Sequence, residues 1–221
     1  MQLERMDAFF DARTSQYEEH MLRNIVGADA FYPETARLLA PFPEMRLLDL
    51  GCGTGLELDA VFALCGQIHV TGIDLSRGML ACLRQKTYAD RLTLIHGSYF
   101  DVPFGQSAFD RAVSVESLHH FSAVQKTALY QKIHAALIPG GYYVETDYVA
   151  KDASQEEFFF SECARLRREQ NLPKDEFFHY DTPHTVDNLR RMMLEAGFPQ
   201  VEHVYQIENT AILIAKKEKE S

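Results

Sequence analysis

Nine residues restrict this chain more than any others: Leu47-Leu48-Asp49-Leu50-Gly51-Cys52-Gly53-Thr54-Gly55. An apolar run contains an acidic residue, a glycine-rich turn follows at once, and Leu56–Leu64 then reads as a helix. That is a strand–turn–helix unit, the first half of a nucleotide-binding α/β crossover. Glycines at alternate positions let the backbone turn tightly and approach a ligand that a Cβ would hold off. The next apolar run, 68–73, leads into a second acidic residue, Asp74. A carboxylate there is placed to accept hydrogen bonds from both ribose hydroxyls of an adenosine ligand.

The loop departs from both phosphate-binding patterns. The dinucleotide pattern G-x-G-x-x-G needs a third glycine where Leu56 stands, and Gly55 comes one place early. No Lys-Ser/Thr pair follows, which excludes a phosphate-cradling P-loop. Asp49, just before the turn, repels a pyrophosphate and suits a cation. S-adenosylmethionine carries a sulfonium and an ammonium and no phosphate. Leu48 to Gly55 resembles the first motif of the class I S-adenosylmethionine-dependent methyltransferases of the small-molecule type. The segments 71–76, 109–121 and 137–141 resemble that family's later motifs in the same order, so the likeness covers 46–216.

Composition bounds what such a chain does. Its 221 residues suit one α/β domain with some decoration, 1–221, and allow a full core. The net charge of −10 argues against nucleic acid as the main substrate, since phosphate contacts normally need a basic face. The basic run Arg165-Leu166-Arg167-Arg168 reads as a solvated helix face. The four cysteines, Cys52, Cys65, Cys82 and Cys163, are scattered, with no C-x-x-C pair and no histidine cluster at metal-ligand spacing, so no metal is expected. Cys65, Cys82 and Cys163 read as small buried hydrophobes. No signal peptide or long apolar span appears, and a soluble cytoplasmic protein with no membrane association is expected. A homodimer stays open.

Strands alternating with helices through 148 imply a parallel sheet with helices on both faces. Two strands, Gln200–Ile207 and Thr210–Lys216, close the chain as a hairpin, and 217–221 reads as a solvated tail. The resemblance completes this as a Rossmann-like doubly wound seven-stranded sheet of order 3-2-1-4-5-7-6, with strand 7 antiparallel. Residues 1–40 read as amphipathic helical stretches, which the resemblance implies fold over the cofactor as a cap. Residues 148–182 interrupt the pattern with aromatic and ionisable groups, an insertion after strand 5 that hangs over the cleft as a lid.

The resemblance implies S-adenosylmethionine as cofactor, S-adenosylhomocysteine as its product, and a small-molecule methyl acceptor. It places the cofactor on Tyr17, Asp49, Gly51, Cys52, Gly53, Gly55, Asp74, Leu75, Met79, Ser98, Tyr99, Val115, Glu116 and His120. Many relatives carry Asp where Ser98 stands, which implies a weaker or rearranged adenine contact here. Methyl transfer from a sulfonium is an in-line displacement that needs alignment above all, so a dedicated base need not exist. His119, His179 and Tyr180 are the catalytic candidates. Glu116, His120, Asp147, Tyr148 and His184 are further groups on the substrate side. The His119-His120 pair also admits a purely structural role in its loop. Two alternatives stay open: a non-methylating enzyme of the carboxy-S-adenosylmethionine-synthase kind, and a module that binds the cofactor without turnover. The identity of the acceptor and of the methylated atom is not legible in the residues.

Overall fold

In the computed structural model, which describes residues 1–173 and 175–219, seven strands form one sheet. They are β1 (Arg46–Leu50), β2 (His69–Asp74), β3 (Leu92–His96), β4 (Phe109–Val115), β5 (Leu137–Tyr148), β6 (Gln200–Ile207) and β7 (Thr210–Lys216). Their order is β3-β2-β1-β4-β5-β7-β6, as expected. The first five pair in parallel, and β7 runs antiparallel to both β5 and β6. Period-two alternation divides the core between the two faces. Leu48, Leu50, Tyr143 and Leu213 join one buried cluster, while Leu47, Val144, Ile212 and Ile214 join the other.

Three helices cover one end of the chain: α1 (Met6–Arg13), α2 (Tyr17–Asn24) and α3 (Ala28–Leu39). The crossover helices are α4 (Leu56–Leu64), α5 (Arg77–Leu83) and α6 (Ala123–Ala136), and α7 (Ala153–Glu169) and α8 (Val186–Glu195) follow β5. Their starts are chemically marked. Ser76 Oγ accepts from Met79 N at 3.0 Å, Asp152 Oδ1 from Gln155 N at 2.8 Å, and Ser122 forms a reciprocal capping box with Gln125.

β5 starts at Leu137, directly after α6, because Leu137 pairs with Phe109 before a register shift between Phe109 and Arg111. One local expectation changes at the end of the chain. The tail is tied down as far as it is described: Glu218 O accepts from Gly140 N, and Lys217 Nζ donates to His134 O and Leu137 O. Residues 220 and 221, also expected in that tail, lie outside the described residues. Of the cysteines only Cys52 is fully buried; the other three are half-buried.

Two long-range contacts bring the cap to the cleft. Asp11 Oδ1 of α1 accepts from Gly78 N of α5 at 3.0 Å, and a Cβ on Gly78 would lie 2.5 Å from Thr14 Oγ1. The absence of a side chain at Gly78 therefore lets α1 lie against α5, which carries Phe10 and Tyr17 toward the glycine loop. The amino terminus also pairs with the segment after α7: Met6 N donates to Phe177 O at 3.0 Å and His179 N to Glu4 O at 2.9 Å. The cap and the post-β5 segment are thus one hydrogen-bonded cover.

Candidate active site

The glycine loop and the carboxyl ends of β2 and β4 line a narrow cavity of about 50 Å³. Its walls include Tyr17, Gly51, Gly53, Asp74, Leu75, Met79, Tyr99, Glu116 and His120, nine residues named from the sequence, together with Met6, Phe10 and Ser117. Asp74 Oδ2 accepts from Gly53 N at 2.9 Å and Oδ1 from Ser76 N at 2.7 Å, which fixes the carboxylate between the loop and the start of α5. Burial raises the Asp74 carboxyl even against those two donors. At Gly51, φ is +77° and a Cβ would lie 2.0 Å from Ser117 Oγ, so no other residue fits.

Asp49 lies behind the loop, buried, with neither carboxyl oxygen meeting a donor among the described residues. Glu57 of α4 faces it, and its Oε1 is likewise unpartnered. Burial pushes both carboxyls up, Asp49 to about 7, so the pair retains a proton in neutral solution. The pair lies beneath the glycine turn and is not part of the cavity wall.

A second, larger cavity of about 600 Å³ lies between α1–α2, the ends of β4 and β5 and the β6–β7 hairpin. The two cavities share four wall residues: Phe10, Tyr17, Glu116 and His120. His119, Tyr148, His179 and Asp181 line the larger one, with Asn209 and Thr210 from the hairpin. His119 is buried, and its Nδ1 lies 2.6 Å from Asp147 Oδ1. Burial opposes a charge on His119, but the attraction of Asp147 wins and raises the imidazole to about 9. Behind Asp147 stand Lys126 at 3.6 Å and, 2.9 Å from the same ammonium, Glu145, which also accepts from Tyr130 and Tyr143. Burial pushes Glu116 up to about 7 against the pull of His119, while Thr210 Oγ1 donates to its Oε1 at 3.0 Å. His179 stacks on Phe9 and is pushed down to about 4, by burial first and by the neighbouring His120 next.

Several sequence-derived site residues stand elsewhere. Asp49, Cys52, Gly55, Ser98 and Val115 are not cavity walls. Gly55 is the N-cap of α4, at φ +81°, and a Cβ there would meet Leu83 at 2.5 Å. Cys52 is turned toward β2, with its Sγ against Gly72. Ser98 Oγ accepts from Phe100 N at 3.2 Å, which turns it to its own loop. Tyr180 lies outside both cavity walls: its carbonyl meets His120 Nδ1 at 3.2 Å, while its phenol lies near Glu162 and Arg165 of α7. His184 is buried on Glu156 and the Phe121 carbonyl, a structural position. Ser117 and the hairpin residues Asn209 and Thr210 were missed. Ser117 adjoins Glu116 in sequence, whereas nothing local marks the hairpin as a wall.

Residues 47–141 match the model of the methyltransferase domain family. The chain is 27% identical over 227 aligned positions to a carboxy-S-adenosyl-L-methionine synthase of Wolinella succinogenes, covering 94% of this chain and 92% of that one. It is 33% identical over 118 residues to a 24-methylenesterol C-methyltransferase 2 of Oryza sativa, and there it spans 52% of this chain but only 32% of the relative's length. Among solved structures, human N-acetylserotonin methyltransferase in complex with S-adenosylmethionine superimposes with a TM-score of 0.66, at 17% identity, over 95% of this chain and 57% of that one.

Proposed function

We propose that this chain is a class I S-adenosylmethionine-dependent methyltransferase that transfers the cofactor's methyl group to a small-molecule acceptor held in the larger cavity. One observation carries the reading. The narrow cavity at the glycine loop and the larger cavity meet at Phe10, Tyr17, Glu116 and His120, so a donor in one faces an acceptor in the other. When bound, the cofactor supplies an electrophilic methyl carbon. Asp74 takes the ribose hydroxyls, Gly51 and Gly53 allow close backbone approach, and Leu75, Met79 and Tyr99 form apolar walls. Phe9, Phe10 and Tyr17 exclude water at the junction and hold the acceptor for in-line attack. Such alignment contributes about 7–11 kcal/mol in favourable cases. His119, with Nδ1 on Asp147, turns Nε2 toward the cavity and engages the acceptor's polar group, with His179 opposite.

A second reading is favoured by the near full-length likeness to the Wolinella synthase: the chain would modify the cofactor itself. Fixing a carboxylate-bearing co-substrate calls for a cation. Among the described wall residues Arg13 is the single Lys or Arg, held by Glu4 and the Phe9 carbonyl, and the charged His119 already stands between Asp147 and Asp181. The donors and acceptors around the larger cavity favour a neutral or hydroxylated acceptor instead.

Incubation with methyl-deuterated S-adenosylmethionine and a metabolite library, read by mass spectrometry, decides between them. Methyl transfer predicts an acceptor carrying three deuteriums and an equal yield of S-adenosylhomocysteine. A cofactor that itself gains a carboxylate establishes the second reading. A cofactor bound but never consumed leaves a binding module and defeats both.

A further inference from the structure

We propose that His119, His120 and Asp181 form a binding site for one first-row divalent metal ion in the larger cavity, and that the ligand completing its coordination is a small molecule with an oxygen donor. The proposal deepens the acceptor-cavity reading and rests on it for the identity of that ligand.

Three polar atoms from two separate parts of the chain converge. His119 Nε2 lies 3.6 Å and His120 Nδ1 3.3 Å from Asp181 Oδ1, and one ligand atom from each of the three residues falls within 4.8 Å of the other two. Ligand atoms held about 2.0–2.2 Å from a tetrahedral Zn²⁺ are about 3.3–3.6 Å apart, so both separations match the edge of a coordination polyhedron. Two imidazoles and one carboxylate also make the donor set of a metal site that keeps positions open.

The shell behind these atoms has the right chemistry. Asp147 lies 2.6 Å from His119 Nδ1 and can hold its N–H, so an ion that displaces the second ring proton meets the Nε2 lone pair. A carboxylate behind a histidine is the usual support of a metal-bound imidazole. His179 Nε2 stands 4.0 Å from the same Asp181 oxygen, within reach of a fourth position after a small ring movement. All four residues other than Asp147 line the cavity, so the remaining positions of an ion face the space given to the acceptor. The competing arrangement is a proton network, with His119 charged between two carboxylates and the His120 Nδ1–H shared by Asp181 and the Tyr180 carbonyl.

The test uses the full chain, stripped with EDTA and titrated with Co²⁺, with visible absorption as the readout and Zn²⁺ as the competitor. The metal site predicts saturation at one ion per chain, ligand-field bands displaced by Zn²⁺, and at least a tenfold loss of affinity in Asp181→Ala and in His120→Ala. Asp147→Asn should lose about 10–100-fold through the supporting shell. Circular dichroism melting certifies that each variant is folded, and Asp181→Asn, which keeps the side-chain size, replaces Asp181→Ala if that variant is not. Absence of saturable binding, or binding indifferent to folded Asp181 variants, overturns the site in favour of the proton network. Methyl transfer undiminished in stripped protein that binds no Co²⁺ overturns the metal while leaving the proposed function standing. One tightly held, Asp181-dependent Co²⁺ in a protein that methylates nothing supports the site and counts against that function.

Discussion

At the residue scale the least ordinary feature is the pair Asp49 and Glu57, two carboxyls buried against each other beneath the glycine turn. Burial raises both, so between the ordinary carboxyl range and about pH 7 the folded chain keeps a proton that the unfolded chain has released. Stability falls with rising pH wherever the native state binds more protons, at about 1.4 kcal/mol per pH unit for each retained proton. Urea unfolding of the wild type should therefore weaken from about pH 4 to about pH 7, and Glu57→Gln should flatten that decline. Parallel profiles for the two proteins would remove the shared proton. The sequence showed Asp49 as acidic and its place before the turn as cation-seeking. It did not show Glu57 as its neighbour, because that depends on how α4 leaves Gly55.

The elements divide sharply by how far local chemistry specifies them. β6, β7 and α4 fall at the expected bounds, since alternation, a cap or a glycine marks their ends in the sequence itself. The cleft's cover is another matter. Residues 4–6 pair with 177–179, and Asp181 approaches His119 and His120, through contacts between segments far apart in the chain that no periodicity encodes. Asp181 enters the cleft while its neighbour Tyr180 does not, and no local pattern in the sequence separates the two. The join between α7 and α8 gives a prediction at this scale. Glu156 of α7 accepts from Thr185 N, Asn188 Nδ2 and His184 Nδ1 at the start of α8. Burial works against its charge, but these donors lower the carboxyl below its usual value of 4.5. Its contribution is therefore present above about pH 4.5 and lost as the pH falls through the lowered value. Glu156→Gln should be less stable than wild type by about 1–3 kcal/mol at pH 7. That gap should close on acidification below about pH 4. A gap independent of pH would mean that the charge at Glu156 is not what joins the helices.

For the whole molecule, a strand order that switches between β1 and β4 places the carboxyl ends of β1, β2, β4 and β5 around one cleft, and the cap and hairpin enclose it. The sheet is legible in the sequence because four motifs in order fix it, whereas the acceptor is not, because its walls come from the cap, the post-β5 segment and the hairpin. Among the described residues no helix is long and apolar enough to cross a membrane. In the proposed function the glycine-loop cavity holds the cofactor, with Asp74 on the ribose. Isothermal titration of S-adenosylhomocysteine into the wild type and Asp74→Ala, with a nicotinamide dinucleotide as the competing nucleotide, tests that most directly. The account predicts one site in the micromolar range, about 1–3 kcal/mol weaker in Asp74→Ala through unpaired ribose hydroxyls, and no comparable uptake of the dinucleotide. Equal affinity in the variant, or tighter binding of the dinucleotide, would contradict it.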